Sequence, residues 1–264
     1  LKLKEKEIVP DLVTAAGNSL FLLVWIMVAA KEEWRSLIIS AWLVVFAAGS
    51  FLIFRFTKRR EPFYVYAGAC IVFLAAATSA ELSGQTLTIA YALEAAAISL
   101  LAYTFLKDIG VAENLLLLFV VPIFLSLESF TSRAWLTGIF HKDFSVLFIL
   151  GAIMLGLGLF YWFPKEQIRR GGESVSLDFI LFVVGSFYMY ALLWLSLRAS
   201  LESHDMAIMI SLAIYTVIGL LVYVLGGVSN VHSARLYGGV LLGLVILRLF
   251  TVDVWMMELT EKII

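Results

Sequence analysis

The stretch LYGGVLLGLVILRLFTVDVW, residues Leu236 to Trp255, places Arg248 within a long apolar run. About 20 such residues are the length that a helix needs to cross roughly 30 Å of hydrocarbon. A guanidinium group keeps its charge at physiological pH, and a charge at the centre of a bilayer costs at least about 2.5–3.5 kcal/mol. The stretch therefore predicts a membrane-spanning helix whose arginine requires a partner.

Composition extends this prediction to the whole chain. Of the 264 residues, 62% are hydrophobic and 15% charged, and the mean hydropathy is +0.99. These values predict an all-α, polytopic transmembrane helix bundle. Strands of a membrane barrel would alternate apolar and polar residues, whereas these runs are apolar all round. The nine predicted spans are Val9–Ala30, Leu37–Phe56, Phe63–Ala80, Leu87–Leu106, Asn114–Phe130, Phe144–Phe163, Asp178–Leu197, Met206–Leu225 and Arg235–Met257.

The connections between the spans are too short for a soluble domain, so a single transmembrane helical domain over residues 1–264 is predicted. Cys70 is the one cysteine and lies within a predicted span, so neither a disulfide nor a thiol metal site is expected. The net charge of −1 argues against a nucleic-acid partner. The chain begins at Leu1 without a cleavable signal pattern, and we expect it to be part of a longer protein.

Basic residues set the expected orientation. Twelve lysines and arginines fall on the N-terminal side of the membrane, in the terminus, the connections and the adjoining ends of spans, against six on the other side. The excess of basic residues on cytoplasmic connections places the N-terminus in the cytoplasm. The connection Thr131–Asp143 would then lie outside, along the membrane interface, because it carries Trp135 and Phe140 among polar residues.

Glu94 is the predicted partner of Arg248. Counted along their spans, both residues lie about 10 Å from the outer edge of the membrane, so the two charges are level. Ala90 and Ala97 share the helix face of Glu94, and small residues let a neighbouring helix approach closely. Tyr91 lies about one turn away and is expected to donate a hydrogen bond to the carboxylate.

Two further acidic residues complete a predicted outward-biased polar cluster. Asp253 follows Arg248 by five residues, on a different helix face, so a direct pair within that helix is disfavoured. Glu128 lies near the outer end of the fifth span, beyond a kink expected at Pro122. The predicted binding residues are thus Glu94, Arg248, Asp253, Glu128 and Tyr91.

Small residues in the spans predict packing surfaces. They recur at Ala75–Ala77, at Ala152 with Gly156, and at Gly239 with Gly243. A close approach of two helices at these positions is expected, because the side chains leave room for a neighbouring backbone.

The segments Leu87–Tyr103 and Arg235–Ile264 resemble a family of bacterial membrane proteins called domain of unknown function 2339. Members tend to show an alanine-rich helix with a glutamate, and a later helix with a basic residue, four intervening positions and an aspartate. The corresponding residues here are Glu94, Arg248 and Asp253, with arginine where lysine is more usual. The resemblance covers about 45 residues and implies a many-helix envelope protein whose final span is cut short in this chain.

No nucleophile–base pair, phosphate loop, metal-ligand spacing or cofactor motif is found, so an enzyme is the weaker class and neither metal nor cofactor is expected. Together with the bacterial family that the chain resembles, the leading hypothesis is a bacterial inner-membrane protein that binds or translocates a small or lipid-linked envelope molecule through the polar centre of Glu94 and Arg248. The alternatives are a structural or assembly subunit of an envelope complex, in which the charges lock helices together, and a membrane-embedded lipid or glycan transferase. The bilayer, such a ligand and envelope proteins are the expected partners.

Overall fold

The computed structural model describes residues 8–57, 60–166, 177–201 and 203–250. Every regular element in these ranges is helical, which confirms the predicted all-α fold. The ten α-helices are α1 (Ile8–Ala29), α2 (Glu32–Thr57), α3 (Arg60–Glu81), α4 (Gly84–Leu106), α5 (Ile109–Asn114), α6 (Val120–Phe130), α7 (Lys142–Glu166), α8 (Leu177–Ser200), α9 (His204–Val228) and α10 (His232–Arg248).

Eight segments of the described ranges are helical, long and apolar enough to cross a membrane. They correspond to the first eight predicted spans, and the chain is therefore a polytopic membrane protein. The ninth predicted span begins as α10, whose 17 residues end at Arg248. Residues 251–257 of that span, among them Asp253, lie outside the described residues.

The chain divides into two compact units, Leu1–Leu125 and Ser126–Ile264. The single domain predicted for residues 1–264 stays a prediction, and the two units are treated separately below. In the first unit, Ile26 of α1, Ile39 of α2 and Phe73 of α3 form a buried cluster. The ring of Phe46 lies 5.0 Å from that of Phe73. These contacts join α1, α2 and α3 through side chains that hold no polar atoms.

The fifth predicted span is not one continuous helix. After the short helix α5, residues Leu115–Phe119 form a 3₁₀ segment, and α6 starts at Val120. A kink was predicted at Pro122, and the structure has a 3₁₀ segment just before this residue. Pro122 sits in the first turn of α6, where a missing N–H is tolerated, whereas a regular helix upstream would clash with its ring.

The connection between α6 and α7 contains a 3₁₀ turn, Arg133–Leu136. Phe140 is 89% exposed, as expected for a side chain in the membrane interface. Trp135 differs from that expectation, because it is buried and its Nε1–H donates to the Ser129 carbonyl over 2.9 Å. Its indole therefore packs inside the second unit and fixes the connection to the end of α6.

Glycines bring the helices of the second unit together. A Cβ atom built on Gly185 of α8 would lie 2.7 Å from the Leu155 nitrogen of α7, and one on Gly158 would lie 2.8 Å from Phe182 backbone atoms. The predicted surface at Ala152 and Gly156 is wrong, because both residues are exposed. Packing selects the opposite face of α7, so the close contact falls at Gly158.

The same correction applies between α9 and α10. A Cβ atom on Gly238 would lie 2.6 Å from the Tyr223 nitrogen, whereas one on Gly239 would meet nothing nearer than 3.9 Å. Around Gly243 no atom would lie within 4 Å of the added Cβ. The close approach predicted at Gly239 and Gly243 is therefore wrong, and the helices approach each other at Gly238 instead. A shift of one residue rotates the contact by about 100° round the helix.

Candidate functional site

Glu94 lies in the interior of α4. The helix starts at Gly84 and ends at Leu106, and it is capped by Lys107, which takes a left-handed conformation (φ 51°) and donates its N–H to the Tyr103 carbonyl. Glu94 is ten positions after Gly84, which is about 15 Å along the helix axis. The carboxylate therefore belongs to the membrane-spanning part of the first unit, and its residue is partly exposed.

Helix α3 supplies the polar contacts around this carboxylate. The Thr78 hydroxyl donates a hydrogen bond to Glu94 Oε1. Tyr91 was predicted to donate a hydrogen bond to Glu94. That prediction is wrong, because its hydroxyl donates to the Ala75 carbonyl over 3.0 Å. The two bonds join α3 to α4 at the end where the chain turns from one helix into the other. Thr78 was not found from the sequence, because a threonine in a span carries no charge to mark it.

The packed face of α4 is adjacent to Glu94. Its buried residues are Thr88, Ala92, Ala95 and Ser99, at helical spacing. Ser99 donates its hydroxyl to the Ala112 carbonyl over 2.9 Å, which ties α4 to α5. The predicted small-residue contact at Ala90 and Ala97 is thus displaced, and Ala97 is exposed. Glu94 lies at the edge of this face and is not enclosed by it.

Arg248 belongs to the second unit, at the last residue of α10. Its guanidinium lies within electrostatic range of the Tyr215 phenol of α9. Tyr215 donates its hydroxyl to the Tyr190 carbonyl of α8, and the hydroxyl of Tyr190 lies 2.7 Å from that of Tyr237 on α10. We call Tyr190, Tyr215 and Tyr237 the tyrosine cluster. It joins three helices, and the sequence analysis missed it because an isolated tyrosine in a span has many packing roles.

Replacing Tyr237 with phenylalanine should lower the free energy of unfolding by about 1 kcal/mol, because the Tyr190 hydroxyl loses its 2.7 Å partner within the span. Reversible unfolding in mixed micelles by titration with sodium dodecyl sulfate measures the change. Tyr223→Phe is the matched control, since Tyr223 of α9 is exposed. Equal stability of the two variants would show that the hydroxyl bond contributes nothing.

The remaining predicted site residues are not brought into one cluster. Glu128 is exposed near the end of α6, and within the described part of the second unit no ion pair joins it to Arg248. Asp253 falls outside the described residues. Since Glu94 belongs to the first unit and Arg248 to the second, the predicted pair between them stays a prediction.

Each unit contains a cavity. In the first, an open cavity of about 430 Å³ lies between α1, α2 and α3, with Thr14, Asn18 and Tyr66 among the lining residues. Glu94 is not part of that lining. In the second unit, an open cavity of about 510 Å³ lies between the α6–α7 connection and the last two turns of α8. Over the described ranges, no group of three or more histidine, cysteine or acidic residues is placed to hold a metal ion.

No family model, curated protein or solved structure matches this chain. The resemblance of Leu87–Tyr103 and Arg235–Ile264 to domain of unknown function 2339 therefore stays a prediction.

Proposed function

We propose that this protein lies in a bacterial inner membrane, with its N-terminus in the cytoplasm, and binds or translocates a small or lipid-linked molecule of the envelope. Glu94 contacts that molecule. The observation that carries the proposal is a partly exposed carboxylate inside a membrane-spanning helix, held by a hydroxyl group. An ionisable residue at such a position is costly, and it commonly marks a ligand or ion pathway.

The hydrogen bonds of Glu94 leave room for a ligand. A carboxylate has about four acceptor positions on its two oxygens. Within the described part of the first unit, the Thr78 hydroxyl occupies one position on Oε1. A cationic or hydroxyl-bearing group of a ligand would fill the others, and its contact would be strengthened by the low dielectric constant of the membrane.

The exposure of Glu94 favours binding over a purely structural role. A charge that only locks helices together is best enclosed by its partners, because each unsatisfied acceptor in hydrocarbon costs free energy. Glu94 instead lies beside the buried stripe of Ala92 and Ala95, with part of its surface open. Structural contact between α3 and α4 is already supplied by the bond from Tyr91 to Ala75.

The test is the substitution Glu94→Gln, which keeps the size of the side chain and removes its charge. We expect the variant to insert and purify like the parent but to restore the envelope phenotype of a deletion strain at least about tenfold less well at matched membrane abundance, since a hydrogen bond to a charged group contributes about 1.5–3 kcal/mol. Matched abundance is essential because reduced stability alone lowers the amount of protein.

Glu81→Gln is the control, since Glu81 is the exposed last residue of α3 on the same side of the first unit. That variant should restore the phenotype fully. Dicyclohexylcarbodiimide, an apolar reagent for carboxyl groups in membranes, should label Glu94 in the parent protein and leave that position unlabelled in Glu94→Gln. Full restoration by Glu94→Gln would contradict the proposal and favour an assembly subunit.

A further inference from the structure

We propose that the cavity between the α6–α7 connection and the end of α8 binds the phosphate headgroup of a net-anionic membrane lipid, with Arg133 and Arg198 as the cationic contacts. This site lies wholly in the second unit and does not depend on the role of Glu94.

The charge of the cavity favours an anion. Its lining includes Arg133 and Arg198 and contains no acidic residue; the full lining is Phe130, Thr131, Ser132, Arg133, Trp135, Leu136, Trp194, Leu195, Arg198 and Ala199. Both arginines are exposed, so their guanidinium groups are available to a ligand. Planar guanidinium groups bind phosphate oxygens through two parallel N–H donors, which makes arginine well suited to a phosphate headgroup.

Trp194 supplies the second line of evidence. The guanidinium carbon of Arg198 lies 5.6 Å from the centre of the Trp194 ring, which orients the cation over the indole. The indole Nε1 is buried, and no acceptor among the described residues bonds to it. An unbonded N–H in the interior costs free energy, and we assign to it a ligand oxygen in the cavity, which a small rotation of the indole would bring within hydrogen-bond distance.

The position of the cavity fits a lipid better than a soluble anion. Arg198 is two residues from the end of α8, and Trp194 is six residues from it, so the cavity extends from the membrane face to about 9 Å inside. Phe130, Leu195 and Ala199 give its inner part apolar walls. Leu136 is 80% exposed beside them. A lipid places its phosphate at the level of the arginines and its acyl chains against these apolar side chains.

The volume is also appropriate. About 510 Å³ is within the usual range of small-molecule sites and accommodates a phosphoglycerol headgroup. A zwitterionic choline headgroup would bring its own positive charge close to two arginines, and we therefore expect it to bind more weakly. The predicted ligand is a glycerophospholipid with a net negative charge.

The experiment measures binding of phosphatidylglycerol to the full chain in phosphatidylcholine nanodiscs, by native mass spectrometry over a range of phosphatidylglycerol content. We expect Arg133→Gln and Arg198→Gln each to weaken binding about fivefold, since a basic residue near a membrane surface contributes about that factor for an anionic lipid. The double variant should lose about 25-fold.

Lys142→Gln is the matched control, because Lys142 is exposed at the start of α7, on the same membrane face, and is not part of the cavity lining. A loss equal to that of the arginine variants would overturn the site in favour of general surface charge. Trp194→Phe keeps an aromatic ring and removes the N–H, so it should also weaken binding, and unchanged binding would overturn the assigned hydrogen bond. Release of the lipid by millimolar inorganic phosphate would overturn the lipid assignment in favour of a free anion.

Discussion

Replacing Gly238 with alanine should lower the free energy of unfolding by about 1–3 kcal/mol, the usual cost of overpacking a tight contact. The added methyl group would lie 2.6 Å from the Tyr223 nitrogen and 2.7 Å from the Gly219 carbonyl oxygen of α9. Both neighbours are backbone atoms, so no side chain can rotate away and the two helices must separate. The loss is measured by reversible unfolding in mixed micelles.

Gly239→Ala provides the control one residue away in the same helix. Its methyl group would meet the Tyr223 ring at 3.9 Å, which is an ordinary contact. Each substitution removes one glycine from the interior of a helix, a gain of up to about 1 kcal/mol in helix propensity. Gly239→Ala should therefore be neutral or stabilising. If both variants are destabilised to the same extent, the contact of α10 with α9 is not centred on Gly238.

The second large effect concerns the predicted ion pair. If Glu94 and Arg248 are partners, Arg248→Met leaves a carboxylate uncompensated within the membrane and should cost up to about 3–5 kcal/mol of unfolding free energy. The double variant Glu94→Gln with Arg248→Met should then recover much of that loss, because neither charge remains. The four proteins of this cycle are compared under one set of unfolding conditions.

In the structure, each of the two charges also has a polar neighbour in its own unit. The mutant cycle shows whether the charge interacts with that neighbour or with the predicted partner. Thr78 bonds to Glu94, while Arg248 lies within electrostatic range of Tyr215. Single effects that simply add would show that Glu94 and Arg248 are independent. In that case Tyr215→Phe should couple to Arg248→Met instead, since the tyrosine cluster would be the partner of the guanidinium group.

The candidate site could be predicted in part. Glu94 and Arg248 were found because a charged side chain within an apolar run is easy to recognise and costly to keep. The polar residues that lie near them, Thr78 beside Glu94 and the tyrosine cluster beside Arg248, were not found. Threonine and tyrosine occur in many membrane helices for packing alone, so Thr78 and Tyr190 acquire a role only through the helix placed beside them.

The cavity of Arg133 and Arg198 was equally beyond the sequence. The two arginines are 65 positions apart in the chain, and each has the ordinary appearance of a charge at the end of a span. They line one cavity because Trp135 anchors the α6–α7 connection through Ser129 and because α8 ends beside it. Two such residues come together only if their helices are neighbours, and the hydrophobic periodicity of the sequence does not show which helices are neighbours.

The sequence by itself determined the all-α class, the succession of apolar helices and their approximate ends, because each follows from the length and composition of a local segment. The tertiary structure alone decided which face of each helix is packed. Helices that are apolar all round give no amphipathic signal that would mark the packed face. The contact falls at Gly238 and not at Gly239 because the backbone of α9 comes so close there that a Cβ atom on Gly238 would lie less than 3 Å from it.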